Sequence, residues 1–117
     1  MYPIKYMPND EHALFKSFFQ SLMKNGNNQL IKTIMYYIDK LSEFGFDINN
    51  NFKSESLKKL EDNLWELRPN SARILVTFSA KEQAFYILNC FIKKTNTTPE
   101  EEKIRARNLI NKIKWLI

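Results

Sequence analysis

Apolar residues recur with two different periods along this chain, and the change of period divides it into a helical part and a strand part. Leu14, Phe18 and Leu22 fall four apart, as do Phe15, Phe19 and Met23. Two such rows side by side make the wide apolar stripe of an amphipathic helix. Asn9 and Asp10 precede it as N-cap residues, and Glu11 puts negative charge in its first turn. Gly26 marks its end as a glycine C-cap. A second helix is expected from near Asn28, with Leu30, Ile31, Ile34, Met35, Ile38 and Leu41 as its stripe and Gly45 closing it. The short link implies an antiparallel helical hairpin. Ahead of the hairpin, Met1 to Met7 reads as a short strand bounded by Pro3 and Pro8.

Beyond Gly45 the pattern shifts. Phe46 to Asn51 is asparagine-rich and reads as a loop, and Ser56 to Leu60 as a single helical turn. Leu64 to Arg68 then alternates, with Trp65 and Leu67 on one face and Glu66 and Arg68 on the other. Pro69-Asn70-Ser71 is a turn, and Arg73 to Phe78 is a strand with Ile74, Val76 and Phe78 facing one way. Ala84 to Ile92 is long, apolar and rich in β-formers, the mark of a central strand. Thr98, Pro99 and Glu101 then form a capping box, with proline at N1, ahead of a last helix that buries Ile104, Leu109, Ile110, Ile113 and Leu116. The expected order is β-α-α-β-β-β-α. It describes one small α+β domain over residues 1–117, with the helices packed on an antiparallel sheet.

Composition changes this picture in two respects. The net charge is +5, and residues 64–117 carry all of the excess: ten basic against five acidic side chains, where residues 1–63 hold eight of each. A basic half points to an anionic partner. The chain also lacks most catalytic apparatus. His12 and Cys90 are its only histidine and cysteine, so neither a Cys/His metal site nor an intrachain disulfide is expected. With only Gly26 and Gly45, no glycine-rich phosphate loop can form. His12 reads as an exposed helix-terminal residue and Cys90 as a small buried hydrophobe. There is no apolar run of roughly 20 residues and no signal-peptide pattern at Met1 to Lys5, so a cytoplasmic, non-membrane protein is expected.

What remains is a set of cations around one carboxylate. Glu66 and Arg68 share a strand face, Arg73 starts the next strand across a tight turn, and Lys93 and Lys94 end the long strand. Such a set suits phosphoryl transfer on RNA without metal or cofactor. Lysines and arginines hold the scissile phosphate, a carboxylate takes the proton from the ribose 2′-hydroxyl, and the substrate supplies the nucleophile. Spacing alone favours a solvent-face ion pair for Glu66 and Arg68, and Lys93 and Lys94 also read as a solvated or guarded strand end. Trp65 and Phe91 read as core; Arg105, Arg107, Lys112 and Lys114 read as the wet side of the last helix.

Several stretches together resemble the HigB branch of the RelE-type toxins, many of them phage-derived. They are Leu57-Lys58-Lys59-Leu60, Leu64-Trp65-Glu66-Leu67-Arg68, Arg73-Ile74-Leu75, Phe91-Ile92-Lys93-Lys94-Thr95 and Thr98-Pro99 ahead of a charged helix. The resemblance implies an endoribonuclease that cleaves messenger RNA, often on the translating ribosome. It also implies a helix-turn-helix antitoxin as partner, with a toxin–antitoxin heterotetramer as one assembly. It places Glu66, Arg68, Arg73, Lys93 and Lys94 in the catalytic set, with Glu66 either a base or an orienter of Arg68. It places Lys58, Lys59, Asn89, Thr95 and Arg105 along the RNA. Many relatives carry a histidine and a glycine where this chain has Asn89 and Cys90, which leaves the general acid unassigned. A basic module that binds RNA or ribosome without cutting, and a phage-encoded interaction protein, are the alternatives.

Overall fold

The computed structural model describes residues 1–7 and 14–117. Its elements are β1 (Ile4–Tyr6), α1 (Leu14–Lys24), α2 (Asn28–Phe44), α3 (Ile48–Asn51), β2 (Leu57–Glu61), β3 (Leu64–Leu67), β4 (Ala72–Ser79), β5 (Ala84–Ile92) and α4 (Glu100–Asn111). Short 3-10 turns follow at Gly45–Asp47 and Lys114–Leu116. The architecture is the expected α+β one: a sheet, a helical hairpin and a C-terminal helix. The expected caps at Asn9, Asp10 and Glu11, and His12 with them, lie outside the described residues.

Gly26 ends α1 for a backbone reason. It takes a positive φ of 73°, and the N–H groups of Gly26 and Asn27 donate to the carbonyls of Met23 and Leu22. That pair of bonds is a Schellman motif. Gly45 meets a different demand. A Cβ there would come within 2.5 Å of the Tyr2 ring, which lies over it. Tyr2 is held by its N–H to the Ser42 carbonyl and by the Ser42 hydroxyl donating to its own carbonyl, so the N-terminal segment is laced to the end of α2.

The five strands lie in the order β1-β5-β4-β3-β2. The meander β2–β5 is antiparallel, while β1 runs parallel to β5 at the edge. The stretch read as a helical turn at Ser56–Leu60 is the edge strand β2, and the stretch read as a loop at Phe46–Asn51 is helical. One cause covers both differences. Ile48 and Leu57 are buried beneath the sheet, and the Asn49 amide bonds both the N–H and the carbonyl of Leu57, standing in for a neighbouring strand. These contacts are tertiary and override local preference.

Two apolar layers enclose the sheet. On one face Phe15, Leu22, Ile34, Ile38 and Leu41 of the hairpin pack on Leu67, Ile74, Val76, Phe85 and Ile87. On the other, Ala106, Leu109, Ile110, Ile113 and Leu116 pack on Leu64, Leu75, Tyr86 and Leu88. Ile104, expected inside, is 55% exposed, because at the helical turn angle it lies opposite the stripe of Ala106, Leu109, Ile110 and Ile113 that packs on the sheet. Arg107 is not on the wet side: its Nε contacts Glu61 Oε1 at 2.5 Å and pins α4 to the β2–β3 hairpin.

A β-bulge interrupts the alternation in β5. Ile74 pairs with Cys90 and Val76 with Ile87, so Leu75 stands opposite both Leu88 and Asn89. Leu88 packs in the α4-side layer, and Asn89 bonds Glu102 of α4, so two consecutive side chains point to one face. The extra residue resets the phase of the strand. Phe91 then faces α4, beside the end of the sheet where the cations gather.

Candidate active site

The candidate site lies on the α4 face of the sheet, where β3 and β4 meet at the Pro69–Ser71 turn. Glu66 is 4% exposed at its centre. It sits there because it follows Leu64 on the face that carries the α4-side core. Its Oε1 lies 3.6 Å from Arg68 Nε and 3.8 Å from Arg73 Nε, and its Oε2 accepts a hydrogen bond from the Thr98 hydroxyl at 2.7 Å. Both carboxylate oxygens are therefore engaged.

Arg73 is 7% exposed, which is unusual for an arginine. Its Nη1 donates to the carbonyls of Asn70 and Ala72, both at 2.7 Å, so the guanidinium is clamped by the turn before it. Burial pulls its pKa below the ordinary arginine value, the neighbouring Arg68 acts the same way, and Glu66 opposes them. Arg68 continues the register that pairs Leu67 with Ile74, which brings it opposite Arg73. Its Nε is buried without a hydrogen-bond partner, the 3.6 Å approach to Glu66 being an ion pair only. Two like charges are thus held together by one carboxylate.

The other expected residues lie in several places. Lys58 pairs with Glu66 across β2 and β3, and with Lys59 and Arg68 it lines an open groove of about 400 Å³. Lys59 also lies 3.6 Å from Asp62. Lys93 leaves β5 two residues after Phe91, the partner of Arg73, and its N–H donates to the Ser71 carbonyl, so it reaches the same end of the sheet. Lys94 and Thr95 are exposed beyond it, beside a separate slot, and the Thr95 hydroxyl donates to the Thr97 carbonyl. Arg105 lies farther along α4, paired with Glu102 at 3.2 Å.

Asn89, expected along the RNA, is buried. It is 1% exposed, and its Nδ2 donates to both the carbonyl and the Oε1 of Glu102. The bulge drives it under α4, where it joins helix to sheet and is closed off from solvent. Thr98 is corrected in the opposite direction. It is not the cap of α4, which begins at Glu100 behind Pro99 with no side-chain cap bond. Its hydroxyl instead ties the segment after β5 to Glu66. Nothing in the local sequence could have revealed this, because the two residues are 32 apart and a Thr-Pro pair before three glutamates reads as a cap on any local criterion. Cys90 packs against the hairpin-side core, and burial pushes its thiol above the ordinary range. Among the described residues, no group of three His, Cys, Asp or Glu side chains could hold a metal ion.

A small α+β domain with a guanidinium pair clamped round one carboxylate at a sheet end is compatible with the RelE-like fold. The chain belongs to the family of phage-derived Gp49-like proteins (DUF891), whose model matches residues 18–111. That family is of the RelE/HigB-like toxin kind in general and carries the context of a toxin with an antitoxin partner. No curated protein matches the chain. Among the described residues, no helix is long and apolar enough to cross a membrane.

Proposed function

We propose that the protein is a ribonuclease toxin of the HigB branch, cleaving messenger RNA by attack of the ribose 2′-hydroxyl on the adjacent phosphate, with the translating ribosome presenting the strand. The 5′-oxygen of the next nucleotide is expelled, a 2′,3′-cyclic phosphate is left, and solvent takes the hydroxyl proton and protonates the departing oxygen. The observation that carries this reading is the Arg68–Glu66–Arg73 cluster. Arg73 is clamped by two backbone carbonyls and Arg68 Nε is a buried donor without a hydrogen bond. Donors fixed in advance in a partly dry site stabilise charge that develops on a phosphate, and they need no reorganisation when it does. Lys93 adds charge from the neighbouring strand end, and Lys58 extends the cationic groove along the RNA.

Glu66 is a positioning residue in this reading. Both its oxygens are engaged, so it holds the two guanidiniums in place and does not remove the 2′-hydroxyl proton. The cognate partner is a helix-turn-helix antitoxin, and chemistry on RNA by cationic side chains calls for no cofactor. One observation favours a second reading, an RNA-binding module that cuts nothing: Asn89 replaces the histidine of many relatives and is buried under α4.

The test is induced expression in bacteria with transcript 5′ ends mapped, beside Arg73→Ala. Growth arrest with new codon-phased ends is expected only from the unsubstituted chain. Arrest without new ends points to the binding module, and new ends that persist in Arg73→Ala remove the cluster from the mechanism.

A further inference from the structure

A second cavity lies next to the guanidinium cluster and has different chemistry. Between the end of β5 and the first turn of α4 is a slot of about 420 Å³. Phe91, Ile92 and Pro99 give it an apolar surface, and Lys94, Glu101 and Glu102 stand at its polar side. With Glu100 also in that turn, the helix brings three carboxylates to one end. They repel a phosphate, so this is not a second place for the RNA backbone. A planar uncharged group on an apolar surface, with polar atoms at its edge, is what the slot suits.

The polar side chains are not equivalent. Glu102 is committed, since its Oε1 accepts from Asn89 at 2.9 Å and from Arg105 at 3.2 Å. Glu101 and Lys94 are exposed and make no side-chain hydrogen bond or ion pair among the described residues. The slot therefore offers one available carboxylate and one available ammonium. Among the nucleobases only guanine presents two adjacent N–H donors, N1–H and the 2-amino group, that a carboxylate takes together, with an acceptor, O6, beside them.

We propose that this slot seats a guanine base of single-stranded RNA, with Glu101 accepting from N1–H and the 2-amino group, Lys94 donating to O6, and Phe91 and Pro99 against the ring. The proposal rests on the ribonuclease reading only for the class of ligand. It makes the Lys94 position, expected on the phosphate, a reader of sequence.

The test uses the purified full chain and short single-stranded RNAs with 2′-O-methyl riboses, which cannot be cleaved by their own hydroxyl. Each carries one central guanine, inosine, adenine or uracil in an otherwise identical pyrimidine context, and affinity is read by fluorescence anisotropy. Guanine should bind roughly tenfold tighter than inosine, which lacks the 2-amino group, and Glu101→Gln should erase that difference. Equal affinity for guanine and inosine, a preference that survives Glu101→Gln, or no binding of any strand overturns the proposal. Cleavage of the corresponding 2′-hydroxyl RNA is measured separately. Guanine preference without cleavage, alone or with ribosomes, leaves the slot standing and removes the ribonuclease reading. Cleavage with no base preference does the reverse.

Discussion

Glu66 and Thr98 show how much the site depends on single side chains. A buried carboxylate is costly unless its charge and lone pairs are met, and here two guanidiniums and one hydroxyl meet them. The hydroxyl has a second effect: it fastens the segment carrying Lys93 and Lys94 to the strand carrying Arg68. Thr98→Val should therefore cost ~1 kcal/mol of stability and lower RNA cleavage on the order of tenfold, while Thr98→Ser keeps both near the unsubstituted level. Urea unfolding and cleavage rates, compared where all three proteins are folded, check this. Cleavage by Thr98→Val at the unsubstituted rate would show that the tie is structural only. Glu66, Arg68 and Arg73 were readable as a set because strand alternation and a tight turn are local properties. The hydroxyl tie was not, because it joins residues that only the fold brings together.

At the scale of elements, the bulge in β5 and the placement of α4 form one device. Asn89 reaches α4 because two residues of β5 face one of β4, and its Nδ2 is then satisfied twice by Glu102. Its Oδ1 is buried without a partner, so the site already carries an unmet acceptor. Asn89→Asp would add a buried carboxylate beside Glu102 and remove the donor. We expect a loss of about 2–3 kcal/mol at neutral pH. The loss should shrink as pH falls. The folded state would hold a proton between the two carboxyls that the unfolded chain has released, so it binds more protons and gains stability towards acid. Urea unfolding at about pH 5 and pH 8 distinguishes this from simple loss of packing, which would be the same at both. The apolar, β-forming run of β5 predicted a strand with the right bounds, and the hairpin helices followed from their stripes and from Gly26 and Gly45. β2 and α3 were missed because Leu57, Ile48 and Asn49 take their conformations from one another.

For the whole molecule, part of the excess charge of residues 64–117 falls at one end of the sheet. Arg68, Arg73 and Lys93 gather there, and Lys58 lines the groove beside them. If these four cations each meet one phosphate, the logarithm of RNA affinity should fall against the logarithm of salt with a slope of about −3, and Arg73→Ala should lower that slope by close to one contact. Anisotropy titrations at several salt concentrations give it directly. A slope near zero would place the RNA elsewhere on the protein.

The amphipathic hairpin, the alternating strands, the basic half and the Glu66–Arg68–Arg73 set follow from the order of residues alone. Each depends on periodicity or on neighbours a few positions apart, and those interactions are fixed once the chain is written. The partners of Thr98 and Asn89, the strand made by Leu57–Glu61, the outward turn of Ile104 and the slot beside Lys94 belong to the folded molecule. Each depends on groups distant in sequence competing for the same space or hydrogen bond, and only packing the helices on the two faces of the sheet decides which of them meets the other.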